Sequence, residues 1–262
     1  MMYTKYWMLY SSRSKLIVQV RQQIMENLPA RNFSPSELQD WKQKIFYIYE
    51  RMKAKAQKPY DVVYGGVEFI VYPNVYAPEF FDDSLWYAKQ LQDIVGKKSL
   101  LEIGTGTGVI GIFCAKGGTK VTVTDINPDA VKNAQANVDR HNLPISVREG
   151  NLYEPLSSEE KFDFIFWAHP FNPWDMPVDM LLASGIDPQY EGLRGYVSGA
   201  KNHLTPDGKL LLGTGDSADL RLIESIAHDN GYTLKLLREI DQPLEPGKED
   251  RIKDLIYEFV PK

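Results

Sequence analysis

Leu100–Leu101–Glu102–Ile103–Gly104–Thr105–Gly106–Thr107–Gly108 is an apolar run that stops at an acid and opens into three alternating glycines. Farther on, Val121–Thr122–Val123–Thr124–Asp125 is a β-branched run ending in a second acid. A strand, a loop poor in side chains and a second strand at this spacing predict two parallel strands joined through a crevice of nucleotide size. Gly104, Gly106 and Gly108 let the backbone turn through positive φ, so that a ligand can lie directly against it. Val109–Ala115 then opens a helix whose N-terminus faces the same crevice.

The glycine spacing and the acid narrow the ligand. A dinucleotide loop reads Gly-x-Gly-x-x-Gly, whereas here the third glycine comes one residue early, and Glu102 stands two residues before the first. A carboxylate at that place repels a diphosphate and suits a ligand with a cationic amino-acid end. The expectation is S-adenosyl-L-methionine, and a nicotinamide dehydrogenase fits less well.

Outward from this pair, strands and helices alternate. Strands are predicted at 98–103, 120–125, 144–148, 162–167, 208–214, 232–240 and 251–259, with helices at 84–94, 128–141, 190–204 and 217–230. That alternation predicts an α/β fold, Rossmann-like and doubly wound, with a mainly parallel seven-stranded sheet. Asp61–Tyr72 reads as a short β-hairpin about Gly65–Gly66. Residues 1–60 read as an N-terminal helical cap. Within it, Leu16–Met25 has mixed helical periodicity, and Ser34–Pro35–Ser36–Glu37–Leu38 starts a helix that Pro59 ends. The expected division is a cap at 1–60 and a cofactor-binding domain at 61–262.

The chain has 262 residues, a net charge of −5 and a 43% hydrophobic content, as a soluble α/β domain with an appendage would. The acidic balance argues against a nucleic-acid surface. The basic run Lys42, Lys44, Arg51, Lys53, Lys55 and Lys58 reads as the solvated face of a helix. With no long apolar run and no leader pattern, a cytoplasmic chain without membrane association is expected. The single cysteine, Cys114, reads as a buried, inert thiol. No grouping of His, Cys, Asp and Glu has metal-ligand spacing, so no metal is expected.

Glu102–Ile103–Gly104–Thr105–Gly106–Thr107–Gly108–Val109–Ile110–Gly111 resembles the first motif of class I S-adenosylmethionine-dependent methyltransferases, and Thr124–Asp125–Ile126–Asn127–Pro128 resembles the second. Glu149–Gly150–Asn151–Leu152–Tyr153–Glu154–Pro155–Leu156 is similar to a third segment, with Asn151 where that superfamily usually has Asp. The resemblance implies that Glu102, Gly104, Thr105, Gly106 and Gly108 cradle the cofactor, that Asp125 accepts from both ribose hydroxyls, and that Ile126 packs on the adenine. Asn127, Asn151, Leu152 and Ala168 complete the implied cofactor site.

A narrower resemblance joins Val75–Ser84 and Asp187–Leu193 to the HemK-type glutamine N-methyltransferases. That family carries Asn-Pro-Pro-Tyr after its fourth strand, where this chain reads Ala168–His169–Pro170–Phe171. Ala168 has no side-chain hydrogen bond to offer, and Asn172, four positions later, is the residue that would have to compensate.

Methyl transfer is an in-line displacement, so the protein chiefly positions the acceptor and excludes water. His169 is the candidate general base. Trp167, Phe171, Trp174, Tyr76 and Phe80 are the candidate acceptor pocket, and Asp82, Asp83 or Ser84 are placed to meet the cofactor's methionine end. The leading reading is a methyltransferase acting on a small-molecule or protein side-chain acceptor held between the cap and the 168–197 segment. A HemK-type protein glutamine N-methyltransferase and an inactive cofactor-binding module remain open beside it.

Overall fold

The computed structural model describes Arg31 and residues 33–262. The helix expected at Leu16–Met25 lies outside the described residues. Helix α1 (Pro35–Lys55) begins at Ser34, whose hydroxyl accepts from the Glu37 N–H while the Glu37 carboxylate accepts from the Ser34 N–H at 2.7 Å. This reciprocal cap satisfies two otherwise orphaned amides. The helix stops at Lys55, three residues short of the expected end, and Ala56 caps it.

Strands β1 (Tyr60–Tyr64) and β2 (Val67–Val71) form the expected hairpin, with Tyr64 opposite Val67. Gly65 and Gly66 carry φ of 60° and 79°, the two positive values that a two-residue hairpin turn needs. Helix α2 (Asp83–Val95) then leads to β3 (Ser99–Ile103), α3 (Val109–Lys116), β4 (Lys120–Asp125), α4 (Pro128–Arg140) and β5 (Ser146–Glu149). After β6 (Phe162–Ala168) come α5 (Glu191–Gly199), β7 (Leu204–Gly215), α6 (Leu220–Asp229), β8 (Tyr232–Pro243) and β9 (Arg251–Pro261).

The main sheet has seven strands in the order β5-β4-β3-β6-β7-β9-β8. The first five are parallel, and β9 runs antiparallel to both of its neighbours. The expected Rossmann-like architecture is borne out. Strand β7 begins four residues earlier than expected, because a bulge opposite Phe162–Phe164 absorbs the turn-forming Pro206–Asp207–Gly208 into the strand.

Two apolar layers cover the sheet. Tyr196, Leu193, Leu220 and Ile223 bury one face, and Leu91, Tyr87, Ile112 and Val109 bury the other. A third cluster joins Trp41, Ile45, Ile48 and Met52 of α1 to Phe80, Trp174, Leu181, Ile186 and Ile252, so the cap helix sits on the segment after β6. The basic run on α1 is largely paired rather than simply solvated. Lys44 meets Asp250 at 2.5 Å, Lys53 meets Asp179 at 3.5 Å, Lys55 meets Glu79 at 2.7 Å, and Arg51 pairs with Glu245.

The hairpin is held by side chains rather than by a third strand. Asn137 Oδ1 accepts from the Ile70 N–H at 2.7 Å, and Asn133 Oδ1 accepts from the Tyr72 N–H at 2.8 Å. Both amide nitrogens donate to the Ile70 carbonyl, and Asn137 also donates to the Thr107 carbonyl at 2.9 Å. These buried asparagines tie the hairpin to α4, and Asn137 ties it also to the loop that follows β3.

Candidate functional site

The sheet order changes direction at β3, which has β4 on one side and β6 on the other. The loops leaving the carboxyl ends of such strands part and leave a crevice. Here the crevice is a cavity of about 370 Å³ walled by the glycine loop, the β4 and β6 ends, the start of α2 and the segment 168–188.

Gly104, Gly106 and Gly108 all adopt positive φ, at 66°, 57° and 86°. They do different work. A Cβ on Gly104 would lie 2.7 Å from Trp167 Nε1, so the indole of β6 packs against bare backbone. A Cβ on Gly106 would meet nothing within 4 Å. That opening lies in the cavity wall, and any side chain there would fill it.

Asp125 ends β4 beside this opening. Its Oδ2 accepts from the Gly106 N–H and its Oδ1 from the Asn127 N–H, each at 2.9 Å. Burial raises its pKa while these amides lower it. Each carboxylate oxygen retains a second lone pair for a ligand hydroxyl. Ile126, the next residue, is 55% exposed and lines the cavity, although an aliphatic side chain of that size is ordinarily covered. A carboxylate for hydroxyls, an open glycine and an uncovered aliphatic face fit the nucleoside end of S-adenosylmethionine.

Glu102 lies under the loop and is buried. Its Oε2 accepts from Thr105 Oγ1 at 3.1 Å, and burial pushes its pKa up to about 8. Thr105 in turn donates its backbone N–H to the Thr124 carbonyl, stitching β3 to β4. Asn127 caps α4 through Oδ1 and donates to the Asn74 carbonyl at 2.7 Å, so it chiefly shapes the wall. Asn151 is exposed, Leu152 takes a φ of 50°, and both line the cavity together with Ala168.

On the acceptor side, Trp167, Phe171 and Tyr76 line the cavity, whereas Trp174 and Phe80 do not. Trp174 packs on Phe46 with ring centroids 5.7 Å apart and lies under the Lys42 ammonium. Phe80 packs under Arg51 and Lys55. Both belong to the cap's own apolar cluster, because α1 needs large partners for its buried face.

His169 lines the cavity at 2% exposure. Its Nε2 pairs with Thr214 Oγ1 at 3.1 Å, its Nδ1 has no partner among the described residues, and burial lowers its pKa to about 3. The imidazole is therefore neutral near pH 7, and a group with so little proton affinity is a poor general base. Asn172 is committed elsewhere. Its Nδ2 donates to the Gly185 carbonyl at 2.7 Å, while its backbone carbonyl accepts from the Asp187 N–H. These bonds close 172–187 into a loop, which Tyr49 of α1 meets through the Ser184 hydroxyl at 3.1 Å.

Asp254 on β9 and Tyr87 on α2 also line the cavity, and the sequence reading missed both. Tyr87 reads as an ordinary core aromatic. Asp254 falls in the strand expected at 251–259 with no local signal of a site, and only the strand order β7-β9 brings it to the crevice.

A family model described as methyltransferase small domain matches residues 66–221. A Methanocaldococcus jannaschii protein, named provisionally as a protein N5-glutamine methyltransferase, is 41% identical over 130 residues, which are 48% of this chain and 64% of that one. The release factor glutamine methyltransferase of Geobacter sulfurreducens is 29% identical over 162 residues, covering 57% of this chain and 56% of the relative. The chain thus spans less than two thirds of each relative's length. Among solved structures, a T. thermophilus 16S rRNA methyltransferase in complex with AdoMet and guanosine superposes with a TM-score of 0.54 at 19% identity, covering 77% of this chain and 50% of that one. That likeness is one of fold. The family match covers more than half of the chain, and the chain belongs to the methyltransferase small domain family.

Proposed function

We propose that the protein is an S-adenosylmethionine-dependent methyltransferase whose acceptor, a small molecule or a protein side chain, sits between α1 and the 168–197 segment. The observation that carries this reading is the opening over Gly106 beside the Asp125 carboxylate and the uncovered Ile126. When bound, S-adenosylmethionine supplies an electrophilic methyl group on a sulfonium centre.

The chain's own residues bind, orient and exclude water. Asp125 accepts the ribose hydroxyls, and Ile126 covers one face of the adenine. Gly104 and Gly106 allow close approach of backbone. Trp167, Phe171 and Tyr76 present an aromatic wall to the acceptor, and the lid that Asn172 ties shut excludes solvent. Neutral His169 orients an acceptor by hydrogen bonding and does not store its proton. Positioning of this kind accounts for much of the acceleration expected in a displacement.

Titration calorimetry with S-adenosylhomocysteine tests the reading. Saturable binding that Asp125→Ala weakens supports it, and no binding by the wild-type protein overturns it.

A glutamine side chain as acceptor is the second reading, and the names of the two relatives favour it. Ala168 and the engaged amide of Asn172 count against it. Incubation with a release factor and labelled cofactor separates the two. Label on the factor that disappears in Asn172→Ala favours glutamine.

A further inference from the structure

His169 leaves β6 with its N–H donating to the Gly213 carbonyl at 3.2 Å, and its ring meets Thr214, the next residue of β7, through Nε2 and Oγ1 at 3.1 Å. The Tyr87 hydroxyl donates to the Thr214 carbonyl at 2.9 Å and fixes that strand end in turn. Trp167, Phe171 and Tyr190 stand edge-on to the imidazole, with ring centroids 6.0, 6.4 and 5.3 Å away. Trp167 packs on the bare backbone of Gly104, so His169 lies one ring away from the glycine loop.

A neutral imidazole carries its proton on one nitrogen or the other, and here the partners choose. Among the described residues the Thr214 hydroxyl hydrogen has one acceptor, His169 Nε2. A ring protonated on Nε2 would leave both that hydrogen and the Nδ1 lone pair unsatisfied, with Thr214 fully buried. A ring protonated on Nδ1 accepts from the Thr214 hydroxyl at Nε2 and leaves one orphan, the Nδ1 N–H. Fewer orphaned buried groups cost less, so Nδ1 bears the proton. The side chain is 2% exposed and lines the cavity, which makes a ligand seated there the partner within reach.

We propose that the His169 Nδ1–H, set in place by Thr214, donates a hydrogen bond to an uncharged carbonyl oxygen of the methyl acceptor, and that half-buried Phe171 gives way as that molecule seats. A carbonyl accepts without bringing a hydrogen that needs a partner of its own. It is uncharged because, among the described residues, neither Lys nor Arg lines the cavity to balance an anion. The oxygen held is not the atom that receives the methyl group. A donor on the nucleophile would draw off the electron density that the displacement consumes, so His169 holds one end of the acceptor while another end attacks. Thr214 is a positioning residue, acting through the imidazole. This inference rests on the methyltransferase reading and concerns only its acceptor.

Imidazole nitrogen NMR on the wild-type protein tests the proton's place, with His169 identified as the ring that stays neutral in mild acid. Nδ1 is expected to be protonated and Nε2 bare, and Thr214→Val is expected to remove that preference. The reverse pattern in the wild type overturns the proposal, and a preference unchanged in Thr214→Val overturns the role of Thr214. Binding is tested by calorimetry in saturating S-adenosylhomocysteine with acetophenone, ethylbenzene and benzoate. The ketone is expected to bind about tenfold tighter than the hydrocarbon, with the carboxylate weakest. His169→Phe should erase the ketone's advantage, and His169→Asn, whose amide N–H reaches the Nδ1 position, should restore part of it. A ketone that binds no tighter than the hydrocarbon, or an advantage that survives His169→Phe, overturns the proposal. If neither variant folds, acetophenone titrated into the wild type should shift the Nδ1 signal, and a signal unmoved at saturation overturns the proposal. Absence of S-adenosylhomocysteine binding is a separate result and overturns the methyltransferase reading instead.

Discussion

The carboxylate of Asp125 holds the N–H of Gly106 at 2.9 Å, so the end of β4 positions the loop that follows β3 before any ligand arrives. Asp125→Ala removes both that tie and the proposed acceptor for the ribose. Loss of one or two charge-assisted hydrogen bonds predicts a fall in S-adenosylhomocysteine affinity of about 2–4 kcal/mol. Calorimetry on the variant checks it, and unchanged affinity would remove Asp125 from the cofactor site.

Gly106 and Gly104 are expected to respond differently to substitution. Gly106→Val adds a side chain in open space, so its structural cost is the positive φ alone, on the order of 1–2 kcal/mol. Its circular dichroism should match wild type while cofactor binding is lost. Gly104→Ala places a methyl group 2.7 Å from Trp167 Nε1 in addition to the φ penalty, and should lower the melting temperature more. A Gly106→Val protein that binds S-adenosylhomocysteine normally would show that this opening is not the cofactor's.

His169 and Glu102 predict opposite limbs in a plot of stability against pH. The unfolded chain protonates His169 near pH 6.5, whereas the buried imidazole resists protonation until about 3, so stability declines as pH falls through that window. Glu102 keeps its proton in the fold to about 8 against an ordinary value of 4.5, so stability declines as pH rises from about 4.5 to 8. Scanning calorimetry should show the acid limb flattened in His169→Asn and the alkaline limb flattened in Glu102→Gln. A limb unchanged in its variant means that the residue is not the source.

Trp174→Ala should cost about 3–5 kcal/mol of stability, the usual range for deleting a buried aromatic ring. Cofactor affinity should hardly change, because the ring packs on Phe46 and Lys42 outside the cavity. Chemical denaturation and calorimetry on the same preparation separate the two effects. A large loss of affinity would place Trp174 back in the ligand site.

The strands and the glycine loop were legible because their signals are local. Val121–Asp125 and Leu100–Gly108 announce strand, turn and ligand contact within a few residues, and the Gly65–Gly66 turn likewise declares its hairpin. The acceptor side was harder to read because burial and partnership are long-range. His169 stands beside Ala168 in the sequence, but its proton affinity depends on desolvation by elements up to Thr214. Trp174 and Phe80 read as pocket aromatics because nothing near them in the sequence reveals that α1 would claim them. Asp254 carries no local mark of a site and becomes part of the cavity wall only through the antiparallel insertion of β9 beside β7.

The hairpin's attachment has a further consequence for the chain in a crowded solution. A two-stranded ribbon has free edges, and a free edge offers N–H and C=O groups that can recruit a strand from another molecule. At the end of β2 these groups are already taken, since Asn133 and Asn137 occupy the Ile70 N–H and C=O and, just past the strand, the Tyr72 N–H. The two side chains thereby cover part of this edge against intermolecular pairing, and Asn137 does so while also holding the Thr107 carbonyl of the loop after β3.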